Sequence, residues 1–135
     1  MSYSIDEIEG IGPVYAEKLT AIGIKTTAAY LERAKDPKGR KALAEETGID
    51  DKRILKWANM ADLMRISGVG EEYSELLEAA GVDTVKELKH RNAANLAAKM
   101  KEVNEEKKLV RQLPSESAVE KWVEQAKSLD PMMTY

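Results

Sequence analysis

The chain has 135 residues, a 43% apolar composition and a formal net charge of −3, which together fit a folded globular protein and exclude a disordered one. It holds no cysteine and no phenylalanine, so disulfides and thiolate metal sites are excluded and the core must rest on aliphatic residues, Met, Tyr and Trp. No apolar run approaches the roughly 18 residues of a membrane span, and the polar start M-S-Y-S-I-D-E is not a signal peptide, so a cytoplasmic chain is expected.

Ser4 and Glu7 form a capping-box pattern that predicts a short first helix near Ile5, with Ile5 and Ile8 inward. Gly10-Ile11-Gly12-Pro13 ends it, and Pro13 suits the first turn of a helix over Val14–Ile22 that stops at Gly23. Thr26 or Thr27 caps a helix of about Ala28–Ala34. Asp36-Pro37 opens the next, which ends at Gly48. Asp50 caps a helix carrying Ile54, Trp57, Ala58, Ala61 and Leu63 at helical spacing. Glu71–Ala80 follows, then a Thr84/Glu87 capping box, a helix from Asn92 or Asn95 to Val103–Asn104, and a last helix after Pro114-Ser115 with Val119, Trp122, Val123 and Ala126 inward. Between these two, Leu109, Val110 and Leu113 pin an irregular stretch to the core. No strand-like alternation appears, so the fold class is all-α.

Ile8–Ile24 recurs 58 residues later as Ile66–Val82. Gly10, Gly12, Tyr15, Leu19, Gly23 and Thr26 map onto Gly68, Gly70, Tyr73, Leu77, Gly81 and Thr84. Agreement at that many fixed offsets marks an internal duplication. The expected organisation is two units, 1–63 and 64–130, with a loose tail at 131–135. Each unit closes on a Trp-bearing helix, I-L-K-W57 and V-E-K-W122, with both indoles in the core.

Two glycines in so short a link spell a tight helical hairpin. The pattern of Ile8, Gly10-Ile11-Gly12, Ala16 and Leu19, and of Ile66, Gly68-Val69-Gly70, Ser74 and Leu77, resembles the helix-hairpin-helix family. The whole chain is similar to a bacterial domain of unknown function built from tandem helix-hairpin-helix units. The resemblance implies two such units packed into one compact body of SAM-like small bundles. It also implies contact with nucleic acid through the hairpin, where glycines expose the amides of a helix N-terminus to phosphate.

Charge is unevenly spread. Residues 1–32 hold two basic and five acidic side chains, residues 33–58 eight and five, and residues 59–85 one and six. The basic excess thus lies after each hairpin rather than on it. The expected nucleic-acid contacts are Gly10, Ile11, Gly12, Val14 and Lys18, extended by Lys38, Arg40 and Lys41 in the Arg33–Lys41 run. The second hairpin, Gly68, Val69 and Gly70, is expected to contribute less, because Glu71 and Glu72 stabilise their own helix start but repel phosphate. The alternative is a protein–protein interaction or scaffold module whose hairpins are purely architectural.

His90 stands between Lys89 and Arg91 as an exposed helix-end residue. No nucleophile–base set assembles around it, no carboxylates show metal-site spacing, and neither Gly-x-Gly continues into a nucleotide-binding Gly-Lys-Ser/Thr loop. The expectation is therefore a non-enzymatic protein with no cofactor, no metal and no small-molecule substrate.

Overall fold

A computed structural model describes residues 2–135. Its eight helices, in chain order, are α1 Pro13–Ala21, α2 Thr27–Ala34, α3 Pro37–Thr47, α4 Asp51–Leu63, α5 Glu71–Ala79, α6 Val85–Leu88, α7 Ala93–Lys107 and α8 Glu116–Lys127. A single 3-10 turn at Ile5–Glu7 precedes them. Among the described residues there is no strand, only an isolated antiparallel bridge between Ser4 and Thr26. The chain is all-α and compact, as expected.

Most helix starts are set locally. Thr26, Asp36, Asp50, Thr84, Asn92 and Ser115 each accept a hydrogen bond from the amide three residues on. Such caps satisfy donors that the helix itself leaves unpaired. Two expectations need correction. Ser4 occupies a cap position but its side chain accepts nothing, and Glu7 instead donates its amide to the Ser4 carbonyl. The N3 amide that a capping box would use is here spent on the Ser4 carbonyl. The helix expected to end near Asn104 runs on to Lys107, and Lys108 closes it in the left-handed region at φ 52°.

The repeat in the sequence is a repeat in hydrogen bonding. Ile11 donates to the Ile8 carbonyl and Val69 to the Ile66 carbonyl, both at 3.1 Å. Ile24 reaches back to Leu19 at 3.0 Å, as Val82 does to Leu77 at 2.9 Å. These long back-bonds close α1 and α5 over Gly23 and Gly81, whose φ angles are +89° and +96°.

Two buried clusters result. One gathers Ile5, Leu19, Tyr30, Leu43, Ile54, Trp57 and Met64 with their neighbours. The other gathers Leu63, Val69, Leu77, Leu96, Met100 and Trp122 with theirs. They divide at the end of α4, where Leu63 turns to the second cluster and Met64 to the first. The last turn of α4 therefore does for the second half what Ile5–Glu7 does for the first. It also supplies Asp62, only 1% exposed, whose carboxylate accepts from the Val85 amide at 2.8 Å and from Arg65 at 2.7 Å. In the first half the equivalent amide, Thr27, is satisfied by the Tyr3 carbonyl at 2.8 Å.

Each corner closes beneath a tryptophan. Gly10 and Gly68 sit at φ +96° and +93°, and a Cβ there would stand 3.1 and 3.2 Å from the indole Nε1 of Trp57 and Trp122. Tyr15 meets Trp57 with ring centroids 5.2 Å apart, and Tyr73 meets Trp122 at the same spacing. Both indoles are buried as expected, at 2% and 5% exposure.

The segment expected to be loose is docked. Met133 is 7% exposed within the first cluster, and Thr134 donates to the Lys35 carbonyl at 2.8 Å. Nearby charge and polarity gave no hint of this, because the anchoring pocket comes from residues about a hundred positions earlier.

Gly10→Ala and Gly23→Ala separate backbone strain from crowding. Both glycines hold positive φ, but only Gly10 has an atom within 4 Å of an added Cβ. Gly23→Ala should cost about 1–2 kcal/mol of unfolding free energy. Gly10→Ala should cost roughly 1 kcal/mol more, because the indole has to move within a close-packed core. Urea denaturation of both variants measures the difference.

Candidate functional site

The two corners differ in how the following helix begins. Of the eight helices, only α1 and α5 start without a side-chain cap, on Gly12 and Gly70. Amides at such starts face outward and carry the positive end of the helix dipole.

At the first corner, Gly10 and Gly12 are exposed, whereas the Ile11 side chain is 4% exposed and belongs to the core. The Ile11 amide is already donated to the Ile8 carbonyl, so Ile11 offers no donor to an anion. An added Cβ at Gly12 would meet nothing within 4 Å. Pro13 occupies the first helical position, and the first turn of α1 contains no carboxylate. Val14 is 66% exposed, one of two large apolar side chains that stand out of the surface among the described residues. Lys18 is exposed in the last turn of α1.

Arg53 was missed in the sequence. Its guanidinium lies 5.7 Å from the centroid of the Tyr15 ring and is paired with Asp50. The signal was available, because Arg53 is four residues before Trp57 and so lies on the helix face that reaches the corner. It brings a cation to the helix that follows Gly12, where Lys18 was the only one expected.

The basic run on α3 is not a continuous track. Arg40 is half-buried and committed elsewhere: it donates to the Ala34 carbonyl at 2.9 Å and the Thr134 carbonyl at 2.7 Å, and lies over the Tyr135 ring. Arg33 is paired with Glu46 and Lys35 with Glu32. Lys38 and Lys41 remain exposed, on a helix that packs against α2 and α4.

The second corner is acidic and flanked by Arg111 and Gln112, with Gly68 still exposed. Val69 is fully buried. The Tyr73 hydroxyl donates to the Gln112 carbonyl at 3.0 Å, and the Arg111 amide donates to Glu72 at 3.3 Å. The stretch that holds Arg111 and Gln112 has no counterpart in the first half. Its fold is fixed by Asn104, whose side chain bonds both the amide and the carbonyl of the buried Val110. Beneath it lies a cavity of about 640 Å³ lined by Tyr3, Glu7, Gly70, Glu72 and Arg111 among others.

Carboxylates from both halves meet beside this corner. Partial burial, then the charge of Glu9 and a hydrogen bond with it, push the Glu71 carboxyl above the usual range. Burial and Glu9 raise Glu75 likewise, against the opposing charge of Lys56. The shift at Glu71 is upward although α5 begins there, so burial and then like charge outweigh the favourable helix dipole.

The family model described as a domain of unknown function (DUF4332) matches residues 9–129. The chain belongs to that family. No curated protein and no solved structure matches it. The matched span takes in both corners and stops before the docked segment. Among the described residues, no helix is long and apolar enough to cross a membrane, and no group of three or more His, Asp or Glu is placed to hold a metal ion.

The raised carboxyls set a pH dependence. A carboxyl whose folded pKa exceeds its unfolded value binds its proton more tightly in the native state. Its contribution to stability is therefore present below the ordinary carboxylate range and is lost as pH rises through the raised value. Glu71→Gln should raise the melting temperature at pH 7 and change it little at pH 4, as thermal unfolding at the two pH values would show.

Proposed function

We propose that the chain is a non-enzymatic helix-hairpin-helix module that holds the phosphate backbone of nucleic acid at its first corner, without regard to base sequence. The observation that carries this reading is the start of α1. It is uncapped, free of carboxylates in its first turn and open at Gly12, with Lys18 exposed one turn on. A phosphate oxygen placed there accepts from backbone amides and meets the positive dipole end, an arrangement that binds anions and reads no base. Gly10, Gly12 and Val14 supply backbone and Lys18 supplies charge, with Arg53 close by but paired with Asp50. Lys38 and Lys41 are peripheral, and Arg40 is excluded as long as it holds Thr134.

The second corner has an architectural role in this reading. Glu71 and Glu72 put negative charge in the first turn of α5, which repels an anion, and Arg111 and Gln112 are held against Glu72 and Tyr73. Asymmetry of this kind is a common outcome of duplication, with one copy free to bind and the other given over to packing. The same reading places the protein in the cytoplasm.

A competing reading is a scaffold or protein-interaction module in which both corners are structural. It is favoured by the indole contacts, which favour glycine at positions 10 and 68 whatever the partner. Titration of short duplex and single-stranded DNA at two salt concentrations separates the two. Phosphate binding must weaken as salt rises. Lys18→Glu should weaken it further and lower the salt slope by about 1. Lys127→Glu, on α8 and paired with Glu124, should leave it unchanged. Equal effects of the two substitutions would reject docking at the first corner, and salt-independent or absent binding would favour the scaffold.

A further inference from the structure

Residues Leu129–Tyr135 leave α8 and lie across the first half. Arg65 donates to the Asp130 carbonyl at 2.7 Å, Thr134 donates its amide to the Lys35 carbonyl at 2.8 Å, and Arg40 donates to the Thr134 carbonyl at 2.7 Å. Three of the contacts are thus to the main chain of the segment. Specificity comes from side chains. Met133 is buried in the first cluster and Met132 is partly so. The Tyr135 hydroxyl donates to Asn59 at 2.7 Å. Burial, with Asp83 and Asp62 close by, pushes that hydroxyl up to about 12, so it keeps its proton at neutral pH. A partly open cavity of about 240 Å³ remains beside Met132, lined by Thr27, Leu31, Glu32, Ala61 and Arg65.

Main-chain hydrogen bonds combined with a few side-chain pockets are how proteins recognise extended peptides. We propose that the face formed by α2, α3 and α4 is a peptide-recognition groove, filled here by the chain's own Leu129–Tyr135, and that its occupant in trans is the same segment of a second copy. The contacts of residues 132–135 are made with residues of the first half. Exchange between two copies keeps all of them and changes only the connection at Ser128–Pro131, which makes such exchange a low-cost route to a dimer. The family match ends at Leu129, so the strap lies beyond the matched fold. Tethering gives the segment an effective concentration in the millimolar range, so the closed single chain dominates in dilute solution and exchange grows with concentration. The inference holds whether or not the first corner binds nucleic acid.

The test uses a fluorescent peptide of residues 129–135 and the full chain. Met133→Asp places a charge in the apolar pocket and empties the groove. The peptide should bind this variant at least about tenfold more tightly than wild type, whose groove is filled in cis. The peptide carrying Met133→Asp should bind neither. Wild type should form a dimer as its concentration rises, and the variant should not. Should Met133→Asp fail to fold, Thr134→Pro, which removes the donor to Lys35, takes its place. No binding to the emptied groove, or equal binding by both chains or both peptides, would overturn the groove. A wild type that stays monomeric at every concentration would overturn the second copy as its occupant.

Discussion

An indole nitrogen pressed against a glycine is the constraint on which the rest of this structure depends. The indole nitrogens of Trp57 and Trp122 would stand only 3.1 and 3.2 Å from a Cβ on Gly10 and Gly68, and both glycines hold backbone angles that side chains disfavour. The corner therefore closes best with glycine. Once closed, it fixes the direction of the next helix and turns that helix's first amides outward. Tyr15 and Tyr73 pack on the same indoles, so each helix start is braced from below while its outer edge stays uncapped. Burying tryptophans of this size is worth several kcal/mol each, enough to hold a corner that helix propensity alone would not form.

Duplication then poses a joining problem, which α4 solves. The first half opens with a separate turn, Ile5–Glu7, bridged to Lys25–Thr27. The second half has no such turn, because the end of α4 occupies its place. With no preceding backbone to satisfy the Val85 amide, the Asp62 carboxylate does so from within the helix, supported by Arg65. A buried carboxylate is tolerated when each of its oxygens has a partner, and here each does. The two clusters are tied through one helix and one side chain, and Arg65 carries the tie on to Asp130.

Whatever rests on neighbours in sequence could be read from the sequence. Thr26, Asp36, Asp50, Thr84, Asn92 and Ser115 stop or start helices by bonds that span three residues, and they appear in the structure as caps. The glycine corners and the two core tryptophans are equally local in their spacing. What could not be read depends on distant partners. Arg40 looks like a surface cation in its own helix, but the Thr134 carbonyl, 94 residues later, claims it. The 108–113 stretch shows only as an insertion, and nothing in its composition says that it bonds Tyr73 and Glu72 beside the second corner. Arg53 is an intermediate case: its four-residue offset from Trp57 places it on the right face, but its proximity to Tyr15 follows only when α4 packs beside α1. Ser4 and Glu7 show the converse, a cap signature without a helix long enough to use it.

The difference between the two corners is the central claim, and backbone amide NMR of the full chain during titration with a short DNA duplex at low salt tests it most directly. The account predicts that the amides of Gly10, Gly12 and Val14 shift first and saturate, while those of Gly68, Gly70 and Tyr73 stay in place. Equal movement at both corners, or shifts confined to surfaces away from Gly12, would contradict it.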